Sequence, residues 1–394
     1  MSYFLLPINN NDIDIDDINM ITTHEYSDES KQFISKTLNK YIHKNKSNIE
    51  NVQEEWDNIK KYVNPYEFIH TNVPYSKLSI AKYKPISRSY FKFIELSNIL
   101  QLFDTFVNIN ITSFHLAEGP GGFIEAIANS RNNSKDIYYG MTLLSKDNNI
   151  PGWKKSKDIL EKYSNIFLEN GITNTGNILL PDNYTYCIDK YKNSMEIITG
   201  DGGFDFSINF NKQELLSTRL IIAEILYALA LQKQGGHFIL KIFDSFTKPT
   251  VELLYLLTIF YDKVYIVKPN TSRYANSERY IVCKKFKYVS TTIFFNKFTS
   301  IIKDLGNSEK HIESILTFSL PYLFISKIEE INAIIGQQQI ENIVATLNLI
   351  YHKNRNDKLE QLKNNNINKC INWCIKNKQA YNKIIQPSNI FISL

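Results

Sequence analysis

Between Ser113 and Phe286, short apolar runs alternate with longer segments of helical period, and few folds accept that alternation. The runs SFHLAE (113–118), DIYYGMTLL (136–144), MEIITGDGG (195–203), GGHFILKIF (235–243), KVYIVKP (263–269) and RYIVCKKF (279–286) read as strands. FIEAIANSR, KQELLSTRLIIAEILYALALQKQ (212–234) and TVELLYLLTIFYD (250–262) read as helices between them. Strands separated by amphipathic helices build a mainly parallel sheet covered on both faces. The loop joining the last two runs is too short for a parallel crossover, so that pair is predicted antiparallel. The expected fold is α/β, a Rossmann-like domain over residues 76–290 with an antiparallel last strand. Residues 1–75 are polar, with pieces such as SKQFISKTLNKYIHK and EEWDNIKKYV, and are predicted as a helical N-terminal extension. Residues 291–394 lose the strand signal and are predicted as a helical C-terminal region.

No apolar run approaches the roughly 20 residues needed to cross a bilayer. The richest, LIIAEILYALALQKQ from Leu220, is broken by Glu224 and reads as a buried helix, so no membrane association is expected. No basic-then-apolar leader opens the chain. A cytoplasmic protein is therefore expected, at a viral replication site or in a virion if a virus encodes it. Cys187, Cys283, Cys370 and Cys374 are too sparse for a disulfide scaffold and suit a reducing compartment. Cys370 and Cys374 lie one helical turn apart, but no second pair completes a zinc site, so structural thiols and no metal are expected. A net charge of +5 admits a nucleic-acid partner without arguing for one.

The first strand–helix turn carries AEGPGGF (117–123). Its glycines let the backbone approach a ligand closely, at the place where open α/β sheets bind one. The spacing differs from the dinucleotide G-x-G-x-x-G, and no G-K-[ST] follows, which argues against NAD, FAD and a P-loop. A glycine-rich turn without a phosphate signature suits S-adenosyl-L-methionine, which presents an amino-acid end and a sulfonium. An ordinary tight turn accounts for the same glycines. GMTLL (140–144) lacks the carboxylate often placed there for a ribose diol. NTGN (174–177) lies where an adenine edge could be met, or is simply a turn.

Four segments each place one charge near an element end: SRSYFKFIEL with Lys92, TGDGGFD with Asp201, GGHFILKIFD with Lys241 and TSRYANSERY with Glu278. Methyl transfer to a sugar hydroxyl is an in-line displacement that must hold the oxygen and remove its proton. A lysine serves as base only when its ammonium pKa is depressed, by burial or by a second cation. Lys241, at the end of a strongly apolar strand, is expected as the base, with Lys92 as the cation that lowers its pKa. Asp201 and Glu278 would balance the charge and orient both amines, and Asp201 would also lie near the methyl donor. Taken singly, Lys92 also reads as a solvated helix face, Asp201 as a turn residue and Glu278 as a surface carboxylate.

In order and spacing these segments resemble the RrmJ/FtsJ-type ribose 2'-O-methyltransferases, in the branch that modifies eukaryotic and viral mRNA caps. GGHFILKIFD and KPNTSRYANSERYIVCK (268–284) resemble the cap-1 enzymes, HLAEGPGGF (115–123) and NTGN the cap-2 enzymes, and TGDGGFD both. The resemblance covers roughly residues 80–290. It implies that Lys92, Asp201, Lys241 and Glu278 form the family's catalytic tetrad. It also implies that Glu118, Gly119, Pro120, Gly121, Gly122 and Phe123 hold S-adenosyl-L-methionine. Asn177 replaces an Asp that contacts adenine in many relatives, and His115 stands where many have Asp. Capped RNA is the implied substrate, with a capping-machinery protein as an implied partner. Beside the tetrad, Lys84, Arg88, Lys248, Lys268 and Arg273 are candidates to meet phosphates. Tyr90, Phe243 and Tyr274 are candidates to stack on bases or the cap guanine, although lone aromatics also serve as core. Methylation of ribosomal or other RNA, and an inactive RNA-binding scaffold of the same fold, remain open.

Overall fold

A computed structural model describes residues 2–24, 32–147, 150–203, 210–306, 310–352 and 355–384. Along the chain the strands are β1 (Ser2–Leu5), β2 (Ile18–Thr23), β3 (Thr112–Leu116), β4 (Ile137–Met141), β5 (Ile166–Leu168), β6 (Met195–Gly200), β7 (Gln232–Ile242), β8 (Tyr261–Lys268), β9 (Arg279–Phe286) and β10 (His311–Leu316). The helices are α1 (Lys36–Glu50), α2 (Gln53–Val63), α3 (Ser89–Leu100), α4 (Gly122–Arg131), α5 (Lys157–Lys162), α6 (Pro181–Tyr191), α7 (Gln213–Leu231), α8 (Lys248–Phe260), α9 (Phe295–Leu305), α10 (Tyr322–Tyr351) and α11 (Asn356–Lys376).

Eight strands form one sheet in the order β1-β8-β9-β7-β6-β3-β4-β5. From β7 to β5 all neighbours are parallel. β9 runs antiparallel to both β7 and β8, as the short β8–β9 connection requires. The winding reverses at β3, so the carboxyl ends of β3 and β6 flank the switch point where such sheets take ligands. α7 is apolar nearly all round because it is covered nearly all round. Its residues from Leu220 to Leu231 are buried among the sheet, α6, α8 and α9.

Strand alternation separates two cores. Phe238, Leu240 and Ile242 of β7 join the core under α7, α8 and α10. Ile239 of β7, Ile197 of β6 and Tyr280 and Val282 of β9 join the opposite core, with Phe91 and Phe93 of α3 and Phe123 of α4. By the same period of two, Lys241, Asp201 and Glu278 belong to the α3 face.

The chain ends are more than helical appendages. α1 and α2 lie where the sequence predicts helices, but the same segment also supplies β1 and β2. β1 extends the main sheet at the free edge of β8, and β2 pairs with β10 from the far end of the chain. The expectation of a helical N-terminal extension is corrected by these strands. β1 has four residues and only partial burial, too little to give a readable alternation. The C-terminal region is mainly helical, and Phe298, Ile302, Ile312, Phe324, Ile328 and Ile331 share one core with Phe238 and Leu240. α11 closes the other face, where Trp373 meets Phe91 edge to face at 5.8 Å. The four cysteines are buried and free. No helix among the described residues is long and apolar enough to cross a membrane.

Candidate active site

Register brings the predicted charges together. Leu116 pairs with Gly200, and Gly200 with Leu240, so Asp201 and Lys241 emerge side by side past the paired ends. Lys241 in turn pairs with Tyr280, two residues beyond Glu278. Lys241 Nζ donates to the Asp201 carbonyl at 2.7 Å and lies 3.3 Å from Asp201 Oδ1. Lys92, on α3, donates to Glu278 Oε2 at 2.7 Å. All four predicted residues therefore meet, as two ion pairs at the carboxyl edge of the sheet. Tyr280, which the sequence reading missed, joins them. Its hydroxyl donates to Asp201 Oδ1 at 3.2 Å, and its ring lies 5.8 Å from Lys92 Nζ.

The electrostatics reverse one expectation. Burial pushes the Lys92 ammonium down, and Glu278 only partly offsets that, so its pKa falls below the ordinary value. Burial also pushes Lys241 down, but Asp201, Glu278 and Glu224 outweigh it, and Lys241 is held above its ordinary value. The expectation that Lys92 depresses Lys241 is thereby corrected: three carboxylates around Lys241 dominate the second cation. Burial raises the Glu278 carboxyl, yet Lys92, Lys241 and Arg88 together pull it well below the usual range.

The glycine turn sits beside these pairs. Gly121 N donates to the Glu118 carbonyl at 2.7 Å. Glu118 Oε1 accepts from Phe123 N at 2.6 Å and Ile124 N at 3.1 Å, capping α4. Gly121 has φ of 110°, a left-handed conformation that favours glycine. A Cβ on Gly122 would come within 2.1 Å of Ser89 Oγ, so only glycine lets the turn rest against the start of α3, the helix of Lys92. Past β4 and β5, Leu144 N donates to the Thr175 carbonyl at 2.8 Å. The segments 117–123, 141–144 and 174–177 thus meet beyond three strand ends. Asn177 Oδ1 accepts from Leu179 N at 3.0 Å, which fixes the side chain in a local turn.

Two buried polar atoms at this turn have no hydrogen-bond partner: Glu118 Oε2 and Trp153 Nε1. Burial, reinforced by Asp201, raises the Glu118 carboxyl well above its ordinary value. Trp153 lies over Gly121 and Gly140, and nearby Ser156 Oγ donates to the Pro120 carbonyl at 2.6 Å. An orphan carboxyl oxygen and an orphan indole N–H beside a glycine cradle fit a nucleoside carrying an amino-acid end, as S-adenosyl-L-methionine does. Sequence reading missed Trp153, which lies outside the glycine signal. His115 has a structural role instead. It is fully buried between Ser113 Oγ and Thr199 Oγ1, and burial lowers its pKa to about 3.

The FtsJ-like methyltransferase family profile matches residues 85–286, just over half of the chain. The chain belongs to the FtsJ-like methyltransferase family. The matched residues contain the glycine turn and both ion pairs. Cap-specific mRNA (nucleoside-2'-O-)-methyltransferase 1 of Mus musculus is 34% identical over 223 residues, 54% of this chain and 26% of the mouse protein. The Homo sapiens protein of that name is 38% identical over 178 residues, 43% of this chain and 21% of its own length. The chain therefore spans about a quarter or less of the length of these relatives. Among solved structures, a ribosomal RNA methyltransferase from Plasmodium falciparum aligns with a TM-score of 0.36 at 23% identity, over 51% of this chain and 97% of that one.

For an FtsJ-like methyltransferase, the remaining predicted residues divide by their surroundings. Arg88 is partly buried beside Glu278 and makes no hydrogen bond or ion pair among the described residues, leaving its guanidinium available. Arg273 is engaged by buried Glu67, through Nε at 2.9 Å and Nη2 at 2.5 Å. Lys268 is buried and spends its ammonium on the carbonyls of Asn276 and Glu278, at 2.7 and 2.6 Å. It clamps the Glu278 loop rather than facing a phosphate, and burial lowers its pKa to about 7. Tyr90 is 4% exposed and packs against Tyr83 and Phe91, so burial removes it from any base-stacking surface. Phe243 is likewise buried, while Tyr274 donates its hydroxyl to Asn270 Oδ1 at 2.9 Å. Lys248 pairs with Glu252 at 3.6 Å and lines a groove of about 730 Å³ whose walls include none of Lys92, Asp201, Lys241 and Glu278. Lys84 is exposed. Phe204 and Asp205 of the TGDGGFD segment lie outside the described residues.

Proposed function

We propose that this chain transfers a methyl group from S-adenosyl-L-methionine to the ribose 2'-hydroxyl of a cap-proximal nucleotide of mRNA. The observation that carries this reading is the convergence of Lys92, Asp201, Lys241 and Glu278 on one face of the sheet, beside the glycine turn. The names of the curated relatives support the cap as the substrate context. When bound, S-adenosyl-L-methionine supplies an electrophilic methyl group on a sulfonium, and the electrons of the broken bond stay on sulfur. Glu118, Gly119, Pro120, Gly121, Gly122 and Phe123, with Trp153 and Asn177, would hold it. Lys241 Nζ, fixed by Asp201, holds the 2'-oxygen and accepts its proton once its own has left to solvent. Lys92 and Glu278 form a buried ion pair beside Lys241, and Glu278 helps keep its amine protonated until substrate chemistry begins. Arg88, with its guanidinium unengaged, meets an RNA phosphate. The reading extends to a cytoplasmic site of action and to a capping-machinery protein as partner.

The test is methyl transfer from labelled S-adenosyl-L-methionine to matched capped and uncapped RNAs, with the modified nucleotide mapped. Ribose methylation confined to a cap-proximal nucleotide of the capped RNA is expected. Equal methylation of both RNAs overturns the cap assignment in favour of another RNA target. Absence of both methylation and cofactor binding favours the scaffold reading.

A further inference from the structure

α10 and α1, which lie outside the family match, reach the site from behind the sheet. Asn332, in α10, is fully buried. Its Oδ1 accepts from Arg279 Nη1 at 2.8 Å and from Ser245 Oγ at 2.7 Å, and its Nδ2 donates to the Ser245 carbonyl at 2.9 Å. Arg279 follows Glu278 directly, and Ser245 lies just past β7, four residues beyond Lys241. Ile242 pairs with Arg279 across β7 and β9, so one amide staples together the ends of the two strands that carry Lys241 and Glu278. Strand alternation sends Glu278 to the α3 face and Arg279 to the α10 face. The staple therefore acts from the side of the sheet opposite the ion pairs.

Further contacts fix the same ends. Arg279, fully buried, donates from Nη2 to Asp244 Oδ1 at 3.1 Å. Gln339 of α10 donates to the Ala275 carbonyl at 3.1 Å. Lys46 of α1 donates to Ser277 Oγ at 2.8 Å, one residue before Glu278. An apolar contact would seal these helices to the sheet equally well. A buried polar network instead fixes directions and distances, because each partner is costly to leave unmatched.

We propose that Asn332, supported by Gln339 and Lys46, is a positioning residue for methyl transfer. It sets the spacing of Lys241 and Glu278 without touching either. This rests on the proposed 2'-O-methyl transfer at that pair. On this view the terminal helices belong to the catalytic apparatus, and the FtsJ-like segment is incomplete without them. A small displacement of a reacting group costs up to about a hundredfold in rate, which makes such a staple worth retaining.

The experiment compares full-length wild type with Asn332→Leu and Asn332→Asp. Amide hydrogen exchange is followed in peptides covering 241–247 and 270–280, and kcat, KM for RNA and Kd for S-adenosyl-L-methionine are measured alongside. Asn332→Leu is expected to exchange faster in those peptides alone and to lose about ten- to a hundredfold in kcat, with KM and Kd within about twofold. Asn332→Asp keeps an acceptor oxygen for Arg279 and is expected to recover most of kcat. Unchanged exchange in those peptides, or a kcat that falls only with the folded fraction, overturns the inference. If Asn332→Leu does not accumulate as folded protein, Lys46→Met is read by the same measures. A wild-type protein inert on RNA refutes the proposed function, whereas the exchange measurement needs no substrate and judges the staple by itself.

Discussion

Lys241 donates to the carbonyl of Asp201 at 2.7 Å and lies 3.3 Å from its carboxylate, so the expected base rests as an ammonium. Burial pushes its pKa down, but Asp201, Glu278 and Glu224 push it further up. Proton acceptance needs the neutral amine. The rate of methyl transfer should therefore climb about tenfold per pH unit from neutrality into the alkaline range. Asp201→Asn removes the first of the opposing causes, so it lowers the Lys241 pKa and moves the rising limb to lower pH while reducing the maximal rate. A pH–rate profile of both proteins checks this, and a flat wild-type profile removes Lys241 from the role.

Substitution of Lys241 separates chemistry from binding. Lys241→Ala loses the amine, and Lys241→Arg keeps the charge but cannot accept a proton at any working pH. Both are expected to lower kcat by about 10²-fold or more, the usual range for a missing general base. Cofactor affinity should change far less than kcat, because the cofactor is expected to be held by the turn from Glu118 to Phe123 rather than by the Lys241 amine. Single-turnover rates beside titration calorimetry test the split, and a wild-type rate in either variant sinks the assignment.

Much of this site was legible because it obeys local rules. RYIVCKKF coincides with β9 residue for residue, and strand alternation alone puts Lys241, Asp201 and Glu278 on a common face. Helix α6 and strand β5 were not legible. β5 has three residues, and β1, β2 and β10 pair with partners distant in sequence, a relation that no local period records. The protonation of Lys241 was illegible for a related reason. It is a sum over Asp201, Glu278 and Glu224, carried by separate elements, and the sequence showed only the nearest-sounding cation, Lys92. Tyr90 was misread because YFKFI places a charge among aromatics that all turn out to be core.

Glu67 tests the loop that presents Glu278. It is fully buried and takes Arg273 Nε and Nη2, with Asn64 Nδ2 at 2.8 Å. Burial raises its carboxyl, but hydrogen bonds and charge from Arg273 bring its pKa to about 2, below the ordinary 4.5. A depressed carboxyl stabilises the fold above its unfolded pKa, and that stabilisation is lost as pH falls from about 4.5 towards about 2. Glu67→Gln should cost on the order of 2 kcal/mol at neutral pH, part of the loss being taken up by solvent at partly exposed Arg273. Urea denaturation should show the gap between the proteins closing in acid, and a gap independent of pH contradicts the ion-pair account.

Glu224 makes the opposite prediction. It lies on α7 behind the Asp201 loop, where its Oε1 accepts from Gly202 N at 3.1 Å and its Oε2 is buried without a partner. A Cβ on Gly202 would come within 2.6 Å of Oε1, so the glycine lets the loop rest on the carboxyl. Burial raises the Glu224 pKa from 4.5 to about 8. The folded state then holds this proton more tightly than the unfolded chain, so stability declines as pH rises from about 4.5 to about 8. Glu224→Gln keeps the acceptor and removes the titration. It should therefore be more stable than wild type, by a margin that grows across that window to on the order of several kcal/mol. Denaturation curves at stepped pH measure the margin, and curves that stay parallel contradict the raised pKa. Glu224 also helps hold Lys241 up once ionised, above about pH 8. Glu224→Gln should accordingly move the alkaline end of the pH–rate profile to lower pH while leaving its neutral part in place.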